Sequence, residues 1–264
     1  MPFRGVAHVH STLSFDGHLP LDRLATFLSD RGVQFALVSE HVETLDAPKV
    51  QQLIRECRVC STESFLMIPG IEIDALNALF YGIAAVDGWT DNDDLARQLA
   101  ASGAMVVVSH PVKVKGDLPA LTASLVEGVE VWNTRYDGKL AIDLSILRYW
   151  RSLERQLRRR LRPLCGIDFH STRDFASVTF NVDCEHLDSA ELLNAIRSGR
   201  YVIARAGKAI PLDVREGTLP LHYMFYSRCY RMIFALAHVL HRGMSRLGLN
   251  IPPALKAPLR RLFC

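Results

Sequence analysis

The sequence lacks an apolar run of about 18 residues, the length that a membrane-spanning helix needs. It also lacks a charged-then-apolar leader, so we expect neither a transmembrane segment nor a secretory signal peptide. Its six cysteines, at positions 57, 60, 165, 184, 229 and 264, do not follow the spacing of a small disulfide-bonded secreted domain. These absences favour a cytoplasmic protein, in which free thiols are normal.

A second CxxC pair is also missing. The single pair, Cys57 and Cys60 in "CRVC", lies in a stretch with helical patterning. A redox or zinc role for this pair is therefore the less favoured interpretation.

Acidic residues are absent from the last part of the chain. Residues 217–264 hold seven Lys and Arg and no Asp or Glu, whereas residues 1–216 hold 24 Lys and Arg against 28 Asp and Glu, a balance of −4. We therefore divide the sequence into a domain over residues 1–207 and a basic helical tail over residues 218–264.

On a helical wheel the tail places its arginines on one narrow side and apolar residues over most of the rest. Gly248, Pro252 and Pro253 would end this helix. Two interpretations stay open. The helix lies in the plane of a membrane and contacts it through residues 222–247, or it packs against the domain or a partner subunit.

The remaining composition is that of an ordinary globular protein. The 264 residues are 49% hydrophobic and 22% charged, enough to bury a sizeable core. Short apolar runs such as "VQFALVSEH", "FLMIPGIEID" and "AMVVVSHP" alternate with helix-like stretches. This alternation predicts an α/β fold, with a parallel sheet or barrel and helices outside it.

The stretch "LRYWRSLERQLRRRLRP" predicts an amphipathic helix with a solvated basic face. A surface for nucleic acid is the less favoured interpretation, because the sequence shows no strip of alternating aromatic and basic residues.

Histidines and carboxylates stand at the carboxyl ends of the predicted strands. In a parallel α/β barrel these ends share one face, where sites form. His8 and His10 are one residue apart, so strand alternation predicts that they point the same way and share an ion; Asp168 and His170 repeat this spacing. Imidazole with carboxylate suits Zn, Mn or Fe. The strand-end residues are His8, His10, Glu40, His41, Glu72, Asp74, His110, Glu130, Asn133, Asp168 and His170.

The order of these motifs resembles the PHP (polymerase and histidinol phosphatase) family of metal-dependent phosphoesterases. The matching segments are "HVHSTLSFDG", "SEH", "GIE", "SHP", "EVWN" and "GIDFHS", within residues 3–205. The resemblance implies a distorted (β/α)7 barrel, similar to a TIM barrel, that holds two or three divalent metal ions.

Carried over by position, the resemblance implies three metal sites. His8, His10 and Asp168 would hold one metal, and Glu72 would bridge it to a second. His110 would complete the second with a residue of "EVWN", for which we prefer Glu130 to Asn133. Asp16, His41 and His170 would hold the third. Of these, the residues expected to be catalytic are His8, His10, Asp16, Glu72 and Asp168.

One motif departs from the family pattern. The family often has Thr-Asp-His where this sequence has Ser39-Glu40-His41. Because His41 is kept, we expect a change only in the groups that surround the ligands.

The implied activity is hydrolysis of a phosphoester by in-line attack of a metal-bound hydroxide. We expect a small phosphorylated metabolite or a nucleotide as substrate, with phosphate as a product. Arg135, Lys139 and Arg173 are candidates for holding its phosphate, although each has the alternative of a plain surface charge.

Three alternatives remain. The first is an exonuclease or oligonucleotide phosphodiesterase of the same family. The second is an amidohydrolase, although no strand-end lysine is present to serve a binuclear site of that kind. The third is a non-catalytic metal-binding scaffold, disfavoured by the nearly complete ligand set.

Overall fold

The computed structural model describes residues 2–84, 86–114, 117–213 and 218–246. The strands are β1 (Phe3–Val9), β2 (Phe35–Val38), β3 (Glu40–His41), β4 (Leu66–Ile68), β5 (Gly70–Ile73), β6 (Ala78–Tyr81), β7 (Met105–Val108), β8 (Gly128–Asn133), β9 (Arg162–Gly166), β10 (Val178–Val182), β11 (Tyr201–Arg205) and β12 (Lys208–Ala209). The helices are α1 (Leu21–Ser29), α2 (Ala47–Cys60), α3 (Asn92–Ala101), α4 (Ala120–Leu125), α5 (Leu144–Leu157), α6 (Ser189–Arg197) and α7 (Leu221–Arg246).

The strands form two six-stranded mixed sheets. The first has the order β12-β11-β10-β1-β2-β4 and the second the order β3-β5-β6-β7-β8-β9. β1, β2 and β4 run parallel, as do β7, β8 and β9, whereas β10 runs antiparallel to β1 and β6 runs antiparallel to both β5 and β7. The predicted α/β class is confirmed, and the sheets are mixed rather than wholly parallel.

Two predicted strands are each divided between the sheets. The run "VQFALVSEH" breaks at Ser39, which separates β2 from β3, and the run "FLMIPGIEID" breaks at Pro69, which separates β4 from β5. Proline has no N–H to donate to a strand ladder, so Pro69 is a natural point for the chain to leave one sheet. The chain therefore enters the second sheet twice, beside the carboxyl end of β1.

The strand β10 was not among the predicted strands. Its residues Val178, Phe180 and Val182 are buried. This period of two is the pattern of a strand with one apolar face, so the sequence did carry a signal for it.

The arginine-rich helix is shorter than its sequence suggests, and most arginines of this stretch are exposed, as the predicted basic face requires. α5 ends at Leu157, where Arg158 adopts a left-handed φ of 53°. Arg159 donates to the carbonyls of Ala123 and Ser124. Arg151 lies 2.7 Å from a carboxylate oxygen of the buried Glu154.

The CxxC pair lies in α2, where Cys57 is buried and neither thiol is in a disulfide. Burial raises the pKa of both Cys57 and Cys60. Redox-active thiols have lowered pKa values, so these raised pKa values argue against a redox role for the pair.

The predicted helix of the basic tail is present as α7, while Gly248, Pro252 and Pro253 lie outside the described residues. None of the helices in the described ranges is both long and apolar enough to cross a bilayer.

Candidate metal centre

The carboxyl ends of β1, β3, β5, β7, β8 and β9 meet at one place, and both sheets contribute to it. β1 presents His8, with His10 just beyond its end. β3 and β5 present His41 and Glu72, and His110 follows β7. Glu130 lies in β8, Asp168 and His170 follow β9, and Asp16 enters from the loop after β1. All nine residues predicted as ligands lie in this one cluster.

Glu72 occupies the middle of the cluster. Its Oε2 lies 3.1 Å from His8 Nε2 and 3.5 Å from His10 Nε2, and its Oε1 lies 2.9 Å from His110 Nε2. His41 Nδ1 lies 3.6 Å from Oε2. One buried carboxylate therefore faces four imidazoles, the arrangement expected of a group that serves more than one ion.

Asp16 belongs to a group of four possible ligands. Its Oδ2 lies 2.8 Å from His170 Nε2 and its Oδ1 lies 3.6 Å from His41 Nε2. The ring of His10 packs against those of both His41 and His170, with centroids 4.5 and 4.3 Å away. The structure thus places Asp16, His41 and His170 together, as the sequence led us to expect, and adds His10 to them.

Three further groups of possible ligands overlap with this one or with each other. They are His8–His10–Glu72, His8–His110–Glu130 and His41–Glu72–Asp74. Asp74 was not assigned as a ligand, although it follows Glu72 at the spacing of two that had singled out His8 and His10.

Asp168 also faces His8 and His10. Its Oδ1 is 3.8 Å from His8 Nε2 and 3.7 Å from His10 Nε2. Its Oδ2 is 3.9 Å from His110 Nε2. The expected association of His8, His10 and Asp168 is therefore present in the structure.

Glu130 has both oxygens engaged by protein donors. Oε1 accepts a hydrogen bond from His8 Nδ1 at 2.9 Å. Oε2 accepts from the backbone N–H of His110 at 2.8 Å and from Asn133 Nδ2 at 3.0 Å. A carboxylate on the far nitrogen of a ligating histidine fixes the ring and its tautomer, so these contacts favour an orienting role for Glu130 over direct ligation.

Three of the clustered residues have an unusual backbone. His8, His110 and Asp168 have φ values of 62°, 25° and 48°. β1 also shifts register between Ala7 and Val9, so the predicted alternation along the strand is interrupted at His8. The rings of His8 and His10 nevertheless lie 5.1 Å apart. Positive φ in a non-glycine residue costs free energy and collects at functional sites.

The titration of the cluster depends on burial and on its own charges. Burial opposes protonation of His8, but Glu72, Glu130 and Asp168 outweigh it and raise the pKa of His8 well above its ordinary value. Burial, followed by the charge of His8, holds the pKa of His10 well below its ordinary value. His10 is thus kept in the neutral form that binds metal.

Unpartnered polar atoms test whether a metal fits. His10 Nε2, Asp16 Oδ1 and His41 Nδ1 are buried and have no hydrogen-bond partner among the described residues. Buried polar atoms are rarely left in that state. Because all three belong to imidazole or carboxylate ligands within the cluster, divalent cations fit the residues present.

Positive and aromatic side chains border the centre. Arg135 Nη1 contacts His170 Nδ1 and lies 3.9 Å from Asp168 Oδ1. Lys113 Nζ lies 4.3 Å from the ring centroid of Tyr136, which packs edge-on against His110. The exposed ring of Phe15 stacks on His41 at 4.8 Å.

The three predicted phosphate-binding candidates differ in position. Arg135 reaches the centre, whereas Lys139 is half-buried and donates to the backbone carbonyl of Arg173. Arg173 itself makes no side-chain hydrogen bond or ion pair with the centre in the part of the chain that the structure describes. Lys113 was not predicted, because "SHPVKVK" offers only its proximity to His110 as a signal.

Comparison with solved structures gives the fold. A two-domain protein from Bacteroides vulgatus that contains a predicted PHP-like metal-dependent phosphoesterase aligns with a TM-score of 0.58 and 17% identity, over 78% of this chain and 65% of that one. PsfC from Pseudomonas syringae aligns with a TM-score of 0.51 and 16% identity, over 88% of this chain and 99% of that one. The chain has a PHP-like fold. The resemblance inferred from the motifs is confirmed at this level.

The alignment spans less than two thirds of the two-domain protein's length. No protein-family model and no curated protein matches the sequence.

The departure from the PHP pattern in "SEH" has a structural role here. Glu40 is fully buried, accepts from Ser11 N at 2.9 Å and accepts from Ser14 Oγ at 2.5 Å. Ser14 Oγ in turn accepts from the backbone N–H of His41 at 2.9 Å. Burial raises the pKa of Glu40 even against these hydrogen bonds. Glu40 therefore fixes the loop that leads to Asp16.

Proposed function

We propose that this chain is a metal-dependent hydrolase that cleaves a phosphoester of a small metabolite or nucleotide. The observation that carries the proposal is the position of Glu72, within 4 Å of nitrogens of His8, His10, His41 and His110. A carboxylate so placed can bridge two cations, and overlapping ligand groups suit a di- or trinuclear centre of Zn, Mn or Fe. When bound, such ions activate water and neutralise phosphoryl oxygens.

The chain's own residues hold the ligands in place. Glu130 orients His8 through its Nδ1 and ties the backbone of His110 to the same carboxylate. Asn133 links Glu130 to Asp168, at 3.0 and 3.4 Å from its Nδ2. We assign Glu130 and Asn133 to positioning rather than ligation, because their polar atoms are already occupied.

Substrate binding is assigned to the residues at the border of the centre. Arg135 and Lys113 supply positive charge for the phosphate oxygens that the metals do not contact. Phe15 and Tyr136 present apolar surface beside that charge. This combination suits a phosphate carried on a small organic group, as in a metabolite or nucleotide.

We also propose that the two sheets together make the distorted barrel implied by the resemblance. Val9 at the end of β1 forms a parallel bridge to Phe169 after β9. His10 N donates to Phe169 O at 2.8 Å and Phe169 N donates to His8 O at 3.0 Å. These bonds join the sheets at the metal centre.

The test is to strip the protein of metal, reload it with Mn or Zn, and incubate it with phosphomonoesters, nucleotides and short oligonucleotides. We expect release of inorganic phosphate from monoesters, and its loss in His8→Ala. His186→Ala serves as the matched control, because His186 is exposed and pairs with Glu191 away from the centre. Release of nucleotides from oligonucleotides alone would instead support the phosphodiesterase.

A scaffold predicts a different result. The metals would then bind, no ester in the panel would be cleaved, and His8→Ala would change only stability. Cleavage of amides without cleavage of phosphoesters would support the amidohydrolase alternative.

A further inference from the structure

Helix α7 exposes an apolar stripe that the metal centre does not explain. The apolar stripe consists of Leu221, Phe225, Met232, Leu236 and Val239, each at least 60% exposed. At 100° per residue these five side chains fall within about 60° of one another around the helix. Of the large apolar side chains exposed in the described part of the chain, eight lie on this one helix.

The opposite side of α7 rests on the rest of the protein. Ser227 is fully buried, Tyr223 packs against the hydrophobic core, and Arg231 Nη2 lies 3.5 Å from Asp143 Oδ2 next to the start of α5. These contacts set the rotation of the helix. They leave the apolar stripe as the side that faces away from the domain.

The charge around the apolar stripe has one sign. Arg228 and Arg242 are exposed and stand on one flank of the stripe. Residues 217–264 contain no acidic residue to neutralise them. Long basic side chains beside apolar ones reach lipid headgroups while the apolar residues enter the acyl boundary.

We propose that α7 binds the surface of a membrane that carries anionic lipids, with the apolar stripe facing the bilayer. The helix has 26 residues and is about 39 Å long, but it is not apolar enough to cross a bilayer, so we place it in the interface. This proposal is independent of the function assigned to the metal centre.

A second copy of the chain fits the surface less well. Two α7 helices packed through the apolar stripe would bring arginines near arginines, and the segment has no acid to form the pairs that flank helical interfaces. An anionic lipid surface supplies that missing charge.

The test is sedimentation of the full-length protein with vesicles of phosphatidylcholine alone or mixed with phosphatidylglycerol. We expect binding to the mixed vesicles, weaker binding to phosphatidylcholine, and loss of binding as salt increases. Phe225→Gln/Met232→Gln/Leu236→Gln should lower the partition coefficient at least tenfold. Arg228→Gln/Arg242→Gln should lower it about tenfold.

Val59→Gln is the matched control, because Val59 is an 80% exposed apolar residue on α2. It should bind vesicles as the unchanged protein does. Circular dichroism and metal content should be the same in all variants, which separates lost binding from misfolding. Absent binding to anionic vesicles, or binding that the triple variant retains, overturns the proposal. A dimer that the triple variant converts to monomer overturns it in favour of self-association.

Discussion

A Cβ atom on Gly166 would stand 1.7 Å from Glu130 Oε1 and 2.9 Å from the Cβ of His8. Only glycine therefore allows β9 to approach the carboxylate that orients His8. Because Glu130 also holds the backbone of His110, the absence of one side chain maintains the position of two possible ligands.

We expect Gly166→Ala to displace Glu130 and release His8 Nδ1. Loss of the carboxylate partner of a ligating histidine weakens metal binding about 10- to 100-fold, so metal titration of the stripped protein should show that decrease. Gly243→Ala is the control, because a Cβ at that helical position would meet no described residue within 4 Å. Equal metal affinity in both variants would show that Glu130 does not orient His8 for metal binding.

Asp16 offers a test of the number of ions. Among the described residues it belongs to the group formed with His10, His41 and His170 and to no other. Asp16→Ala should lower the metal content by one ion per chain and abolish phosphate release, with an unchanged far-ultraviolet circular dichroism spectrum. Asp87→Ala, at an exposed position, should keep the full metal content. An unchanged metal count in Asp16→Ala would contradict a separate ion at this group.

Arg135 is expected to hold the substrate's phosphate. A charge-assisted hydrogen bond contributes about 1.5–3 kcal/mol, so Arg135→Gln should lower kcat/KM roughly 10- to 150-fold. We expect most of this change in KM, measured with the best monoester of the panel. Lys139→Gln should stay near the unchanged protein, because among the described residues Lys139 Nζ donates only to a backbone carbonyl. A larger effect of Lys139→Gln than of Arg135→Gln would indicate that Lys139 binds the phosphate.

Asp137 links stability to pH. Burial raises the pKa of Asp137 from 3.8 to about 7. The folded chain thus keeps a proton that the unfolded chain loses between those values, and the free energy of unfolding falls as pH rises through that window. One pKa unit is worth about 1.4 kcal/mol, so the effect amounts to a few kcal/mol.

Asp137→Asn should remove this part of the pH dependence. Its carboxamide oxygen can still accept from Asn133 N, which Asp137 Oδ2 now does at 2.7 Å. Urea unfolding at pH 5 and pH 8 should show the variant gaining stability relative to the unchanged protein at the higher pH. Asp30→Asn, at an exposed position, should show no such gain. A constant difference between the two pH values would exclude Asp137 as the source.

The strand-end rule explains why so much of the centre was visible in the sequence. His8, Glu72 and Asp168 could be proposed together because carboxyl ends of neighbouring strands converge, whatever the distance along the chain. Helices α1 and α3 were similarly accessible, since proline or acidic residues at their starts and glycine after their ends mark them.

Other features depend on three-dimensional packing that local patterns do not encode. The transfer of the chain between sheets at Ser39 requires knowledge of which strands pair. The orienting role of Glu130 depends on Gly166, which is 36 residues away and has no side chain to suggest a contact. Asp74 and Lys113 lie near the centre in short turns after β5 and β7, and Asn77 and His110 in these turns have positive φ.

The positive φ angles of His8, His110 and Asp168 also bear on how this protein would respond to laboratory evolution. Such angles cost about 1–3 kcal/mol each in a residue other than glycine. Selection for heat resistance alone would reward substitutions that relax these three positions. A screen for thermostability alone should therefore abolish metal binding at the centre, unless each round also selects for retained metal content.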